Sequence, residues 1–176
     1  MKVDWEAAEN ELFAAIKNCV IDFAKEHPDE QFYGFFLDCN ARHFEVLGHL
    51  NTESKLQERA TAFREAWQDE HPDWKINDFI EHLRWEAGDW GYFEIFNAEF
   101  DGGLTDALQE IAESGKPEKY RDQFLESCCK VVLRLDREDA FAGLKKTPNF
   151  RVLCVDHDEK VQEGDARLEK TRARVV

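Results

Sequence analysis

QFYGFFLDCNARHFEVLGHL, residues 31–50, is the stretch on which the fold turns. Its first part, residues 31–39, puts apolar side chains on both alternations: Phe32 and Phe36 on one, Tyr33, Phe35 and Leu37 on the other. Successive side chains of a strand point to opposite faces, so this segment predicts a central strand buried on both sides. Residues 43–50 alternate instead, with Phe44, Val46 and Leu50 on one face and His43, Glu45 and His49 on the other. That pattern predicts a strand with one wet face. Asp38 to Arg42 forms the turn between them, giving a β-hairpin.

The flanking segments read as helices. Before the hairpin, Trp5, Ala8, Leu12, Ile16, Cys19, Val20 and Phe23 recur every three or four residues, a single apolar stripe. Asp4 is placed to cap this helix, and Pro28 ends it. After the hairpin, Ser54 and Gln57 have capping-box spacing, and Leu56, Ala60, Phe63 and Trp67 share one face until His71-Pro72. Phe79 to Trp85 alternates enough to predict a third strand, and Gly88 to Gly91 a turn. The following YFEIFNAEF satisfies both the strand and the helix period. Gly102-Gly103 breaks the chain before a short helix capped by Thr105 and ended at Gly115. A helix opened by Pro117 carries the stripe Tyr120, Phe124, Cys128, Val131 and Leu135. Residues 149–156 read as a last strand.

The order of elements predicts an α+β domain spanning residues 1–158: a mostly antiparallel sheet of about four or five strands, with helices on one or both faces. Residues 159–176 have few apolar side chains and mixed charge, which predicts a charged, exposed or weakly ordered tail.

Composition bounds the function. The 176 residues fit one domain at about 150 residues each. Fourteen Phe, five Trp and three Tyr supply a core, so wholesale disorder is excluded. Acidic side chains outnumber basic ones 38 to 23, a net charge of -15 that argues against nucleic acid as a partner. The acidity is uneven: residues 1–100 carry 22 acids and 9 bases, residues 151–176 six of each. The N-terminus has acids where a secretory leader needs an apolar run, and no stretch reaches the roughly 20 apolar residues of a membrane helix. A cytoplasmic protein is expected, with no membrane association. Five cysteines, odd in number and without CxxC spacing, predict reduced thiols that serve as small core residues. Cys128 and Cys129 are adjacent, but helix neighbours point about 100° apart. Nothing fixes an oligomeric state.

Catalytic signatures are missing. The six histidines show no HExxH or Cys/His zinc spacing, so neither a metal nor a cofactor is expected. Asp156-His157-Asp158-Glu159 has the residue types for loose cation binding and reads more simply as a solvated strand end. There is no GxSxG elbow and no phosphate-binding loop, and the carboxylates are too many for one pair to stand out. No residue is assigned a catalytic role.

The most distinctive stretch is LRWEAGDWGYFEIF, residues 83–96. Trp85, Trp90 and Tyr92 are interleaved there with Glu86, Asp89 and Glu94, the mixture of anchors and charge that a surface uses to hold a basic protein. These six are the candidate partner-binding residues. The same tryptophans also fit a core role flanking a tight turn.

Three motifs in order, FYGFFLDC after a long helix, Asn51-Thr52-Glu53 after the second strand, and RWEAGDWGYFE, resemble the bacterial proteins grouped as domain of unknown function 4303. The likeness covers most of residues 1–157 and leaves out the tail after Asp158. It implies no reaction and carries over no catalytic residue. By analogy with small acidic bacterial proteins of this kind, it implies an immunity or accessory protein of a toxin system. The expectation is therefore an acidic binding protein, of immunity type, that neutralises a basic toxin or partner. The alternatives are a hydrolase with a carboxylate-based site near residues 81–99, and a non-catalytic accessory subunit.

Overall fold

Strand β1 (Gln31–Asn40) runs inside a four-stranded sheet of order β3-β2-β1-β4, in a computed structural model that describes residues 3–97, 111 and 118–175. β2 (Glu45–Thr52) lies antiparallel to β1, and β3 (Tyr92–Asn97) antiparallel to β2. β4 (Lys145–Asp156) lies parallel to β1, so the sheet is mixed where the sequence predicts a mostly antiparallel one. The α+β class holds. A strand signal says nothing of direction, which is set by the end of the sheet to which the preceding helix returns the chain.

Burial on both sides of β1 comes with a local irregularity. Its register with both neighbours shifts between Phe32 and Gly34. The shift puts Phe32 and Phe35 into one layer together with Leu37 and Cys39, while Tyr33 and Phe36 face the other. The first layer is covered by α1 (Trp5–Glu26) and α4 (Glu118–Arg137), through Leu12, Ile16, Val20, Phe124, Cys128, Val131 and Leu135. The second is covered by α2 (Glu53–Trp67) and α3 (Ile76–Leu83), through Leu56, Ala60, Phe79 and Leu83. Cys39, Cys128, Cys129 and Cys154 are buried and unbridged. Sγ of Cys39 and Sγ of Cys154 are 3.7 Å apart, and burial pushes the Cys39 thiol well up.

Several local expectations change. Phe79–Trp85 is not a strand: α3 uses Ile76, Phe79, Ile80 and Leu83, a helical spacing, and Asp78 accepts from the Lys75 N–H at 2.6 Å to fix its start. α2 is capped by Thr52, whose hydroxyl accepts from the Lys55 N–H at 3.1 Å, so Ser54 already lies inside the helix. The hairpin turn follows Asn40, because β1 runs two residues beyond Asp38. His49, expected on a wet face, is 0% exposed beneath the stacked ring of Phe93. The short helix expected between Thr105 and Gly115 falls, apart from the buried Ile111, outside the described residues.

The largest correction concerns the tail. Residues Val161–Val175 form helix α5, which buries Leu168 and Thr171 and packs on α4 and β4. The buried positions Gly164, Leu168 and Thr171 have helical spacing, but only one of them is apolar, so hydropathy hides the stripe. Gly164 lets the helix approach the strand: a Cβ there would stand 2.7 Å from the Cys154 carbonyl oxygen. Arg167 then anchors the helix to Glu159 through both terminal nitrogens, at 2.9 and 2.5 Å. Gly164→Ala is expected to cost about 1–3 kcal/mol, because backbone must yield to admit the methyl. A urea midpoint equal to that of the wild-type protein would show that α5 is not held this closely.

Candidate functional site

The segment Arg84–Gly91 links α3 to β3 through a short 3₁₀ turn, Ala87–Asp89. Its shape is imposed by the hairpin beneath it. Gly34 leaves space for two indoles: a Cβ there would stand 3.0 Å from Trp90 Cη2 and 3.1 Å from Trp85 Cζ3. Tyr33 Oη donates to the Arg84 carbonyl at 2.9 Å, and Trp90 Nε1–H donates to the same oxygen at 3.1 Å. Asn51 Nδ2 donates to Tyr33 Oη at 2.9 Å, while its Oδ1 accepts from the N–H groups of Thr52 and Gly91 at 3.0 and 3.2 Å. Outside this buried network, Arg84 grips both Glu53 carboxylate oxygens at 2.7 and 3.0 Å. Arg59 Nε donates to Asp89 Oδ1 at 2.9 Å. The three sequence motifs thus converge on one loop, and Tyr33, Gly34, Asn51 and Glu53 all serve to hold it.

Beside this loop lies a cleft of about 680 Å³. Trp85, Glu86 and Gly88 form one wall and Glu81 with His82 extends it. The C-terminal end of β4 and the start of α5 form the opposite wall, with Arg151, Glu159, Lys160 and Asp165, and Phe36 and Val155 contribute apolar surface. Parallel pairing of β1 with β4 brings Asp38 and His157 together here: the His157 N–H donates to the Cys39 carbonyl at 2.9 Å, and its Nδ1 lies 3.2 Å from Asp38 Oδ2. The Asp38 carboxylate holds the His157 imidazole above its ordinary pKa, so this histidine charges more readily than a free one.

Six carboxylates (Asp38, Glu81, Glu86, Asp156, Glu159 and Asp165) face the cleft, against Arg151 and Lys160. Three are matched. Arg151 holds Asp165 at 2.7 Å, and Arg121 bridges Asp156 and Glu159 at 2.6 and 2.8 Å. Glu81 and Glu86 form no ion pair among the described residues and are exposed.

The six candidate residues do not form a single surface. Trp85 and Glu86 line the cleft, with Trp85 packed edge-on against Tyr33. Asp89 is tied to Arg59 on the other side of the loop. Trp90 is 3% exposed and belongs to the core beneath α2 and α3. Tyr92 lies in the opposite layer, against Phe23 and Phe32, with its hydroxyl bonded to Glu30 and the Lys55 ammonium over its ring. Glu94 has a left-handed backbone, φ 55°, and its N–H donates to His49 Nδ1 at 2.8 Å. That bond offsets the strain of a side-chain-bearing residue in this region.

Sequence reasoning missed Asp38, Glu81, Arg151, His157, Lys160 and Asp165. His157 stands in the Asp156–Glu159 run, Glu81 at the start of the 81–99 segment and Asp38 in the FYGFFLDC motif, but none of the three is assigned to a common site by the sequence. The six come together through the parallel β1–β4 pairing and through α3 being a helix, neither of which the sequence pattern predicts. No group of three or more His, Cys, Asp or Glu among the described residues is arranged to hold a metal ion. Among the described residues no helix is long and apolar enough to cross a membrane.

No curated protein and no solved structure matches the chain. A family model described as Domain of unknown function (DUF4303) matches residues 12–172, which includes most of α5 and extends the likeness past residue 157. With the match running from the first helix to the last, the chain belongs to that family.

Proposed function

We propose that this protein is a binding module whose acidic cleft docks a basic protein partner, in its sharpest form a toxin that it neutralises by occupation. The observation that carries the reading is the charge imbalance of the cleft, where Glu81 and Glu86 stand unmatched beside an aromatic wall that the hairpin holds in place. A preformed site loses little conformational entropy on binding, and unmatched carboxylates attract a basic surface before contact. The net charge of -15 extends that attraction beyond the cleft.

The hydrolase alternative draws on the same cleft through the His157–Asp38 pair. The lining contains no Ser, Thr, Cys or Tyr, so such chemistry would have to act through water. Binding is the reading that the lining favours.

The test is affinity capture from the organism's own extract at low and at high ionic strength. A basic protein is expected to be retained at low salt and released at high salt, since exposed charge interactions are screened within about 10 Å at 0.1 M. Retention of no protein at either ionic strength would overturn the proposal.

A further inference from the structure

We propose that the cleft takes an arginine side chain from its basic partner in exchange for the protein's own Arg151. The inference rests on the binding reading above and names the group that the cleft recognises.

Arg151 projects from β4 at the position paired with Gly34, directly beside the tryptophans that Gly34 admits. Its guanidinium carbon lies 4.9 Å from the centroid of the Trp85 ring, and its Nη2 donates to Asp165 at 2.7 Å. The cleft therefore already holds one guanidinium stacked on an indole and bonded to a carboxylate. A planar guanidinium can offer its face to the indole and an edge N–H to the carboxylate at once, which favours arginine over a lysine ammonium here.

Two features make this internal occupant exchangeable. Both partners of its ion pair are well hydrated, with side-chain exposures of 43% for Arg151 and 36% for Asp165. An ion pair so exposed and a single cation–π contact at a partly open ring are both weak. Glu86 also shares the Trp85 wall without a cation of its own. An incoming guanidinium thus inherits the Trp85 face and Asp165 and gains Glu86, while Arg151 swings into water on its flexible stem.

The test titrates the full chain with a short acetylated peptide of alternating glycine and arginine, followed by tryptophan fluorescence and by the Trp85 indole NMR signal. Arg151→Ala is expected to tighten binding at least about fivefold, because the competing internal group is gone. Lys145→Ala, which removes the same charge from an exposed position outside the cleft, is expected to change it less than about twofold. Glu86→Gln is expected to weaken it at least about fivefold, and the lysine version of the peptide to bind Arg151→Ala correspondingly less well.

Equal or weaker binding by Arg151→Ala overturns the exchange, as does equal tightening by Lys145→Ala, which would show attraction to net charge alone. Either result leaves the capture experiment above to decide whether a basic partner exists. Circular dichroism on each variant separates lost binding from lost structure.

Discussion

Replacing Asn51 with alanine is expected to cost about 3 kcal/mol of folding stability, the largest loss from any single polar side chain in the loop network. Asn51 is 1% exposed and satisfies three groups at once. Truncation leaves the buried Thr52 N–H and the Gly91 N–H, whose bond is half-buried, without their acceptor and takes from Tyr33 its donor. Each orphaned buried group costs about 1–3 kcal/mol, partly relieved by local relaxation. Tyr33→Phe is the calibrating variant. It removes the bond to the Arg84 carbonyl, which Trp90 Nε1–H still occupies, and leaves the buried Asn51 Nδ2 without its acceptor, so a smaller loss of about 2 kcal/mol is expected. Urea denaturation of both variants measures the order. An Asn51→Ala midpoint at or above that of Tyr33→Phe would show that the loop is held by its ring packing and not by this network.

Acidification from pH 6.5 to pH 4 is expected to remove about 3 kcal/mol through His49 alone. Burial pushes the pKa of this imidazole down from 6.5 to about 4, against a smaller opposite pull from Asp38. Its hydrogen bonding agrees with a neutral ring. Nδ1 accepts the Glu94 N–H, so the proton sits on Nε2, which finds no acceptor among the described residues. The sign follows from proton counting. Below pH 6.5 the unfolded chain protonates His49 while the folded chain does not, so stability falls with pH until the folded ring also takes a proton near pH 4. Carboxylates titrate in the same range, and His49→Phe separates the contributions. The variant should lose about 3 kcal/mol less than the wild-type protein over this interval. Parallel stability curves for the two proteins would remove His49 from the account.

Much of the architecture was legible in the sequence, for reasons that also explain what was not. The stripe of α1, the double-sided apolarity of β1 and the strand at residues 149–156 are strong periodic signals, and each became the element expected. α3 was misread because eight residues are too few to separate a period of 3.6 from one of 2 when Phe79 and Leu83 satisfy both. α5 was misread because its buried side includes Gly164 and Thr171, a close approach and a hydroxyl, and because Arg167 does work that apolar side chains usually do. His49 looked exposed because Glu45 shares its alternation, yet Phe93 from a strand more than 40 residues later lies over it.

The site was harder to read than the fold. RWEAGDWG was recognisable as unusual, but its tryptophans and its Asn51 contact are explained mainly by the packing of the loop on the hairpin. The residues that give the cleft its charge come from β1, α3, β4 and α5, and no linear motif joins Asp38, Glu81, Arg151 and Asp165. Charge along the chain pointed to a basic partner, and only the tertiary structure indicates where its anchor would enter.

The central claim is that this cleft, and not the acidic surface at large, binds the partner. The most direct measurement compares dissociation constants of the captured protein for two double variants of equal charge change. Glu81→Gln with Glu86→Gln alters the cleft, whereas Glu6→Gln with Glu11→Gln alters exposed positions of α1 on the opposite layer. The account predicts at least about tenfold weaker binding for the cleft pair and less than about twofold for the α1 pair at the same ionic strength. Equal weakening by the two pairs, or none by the first, would contradict it.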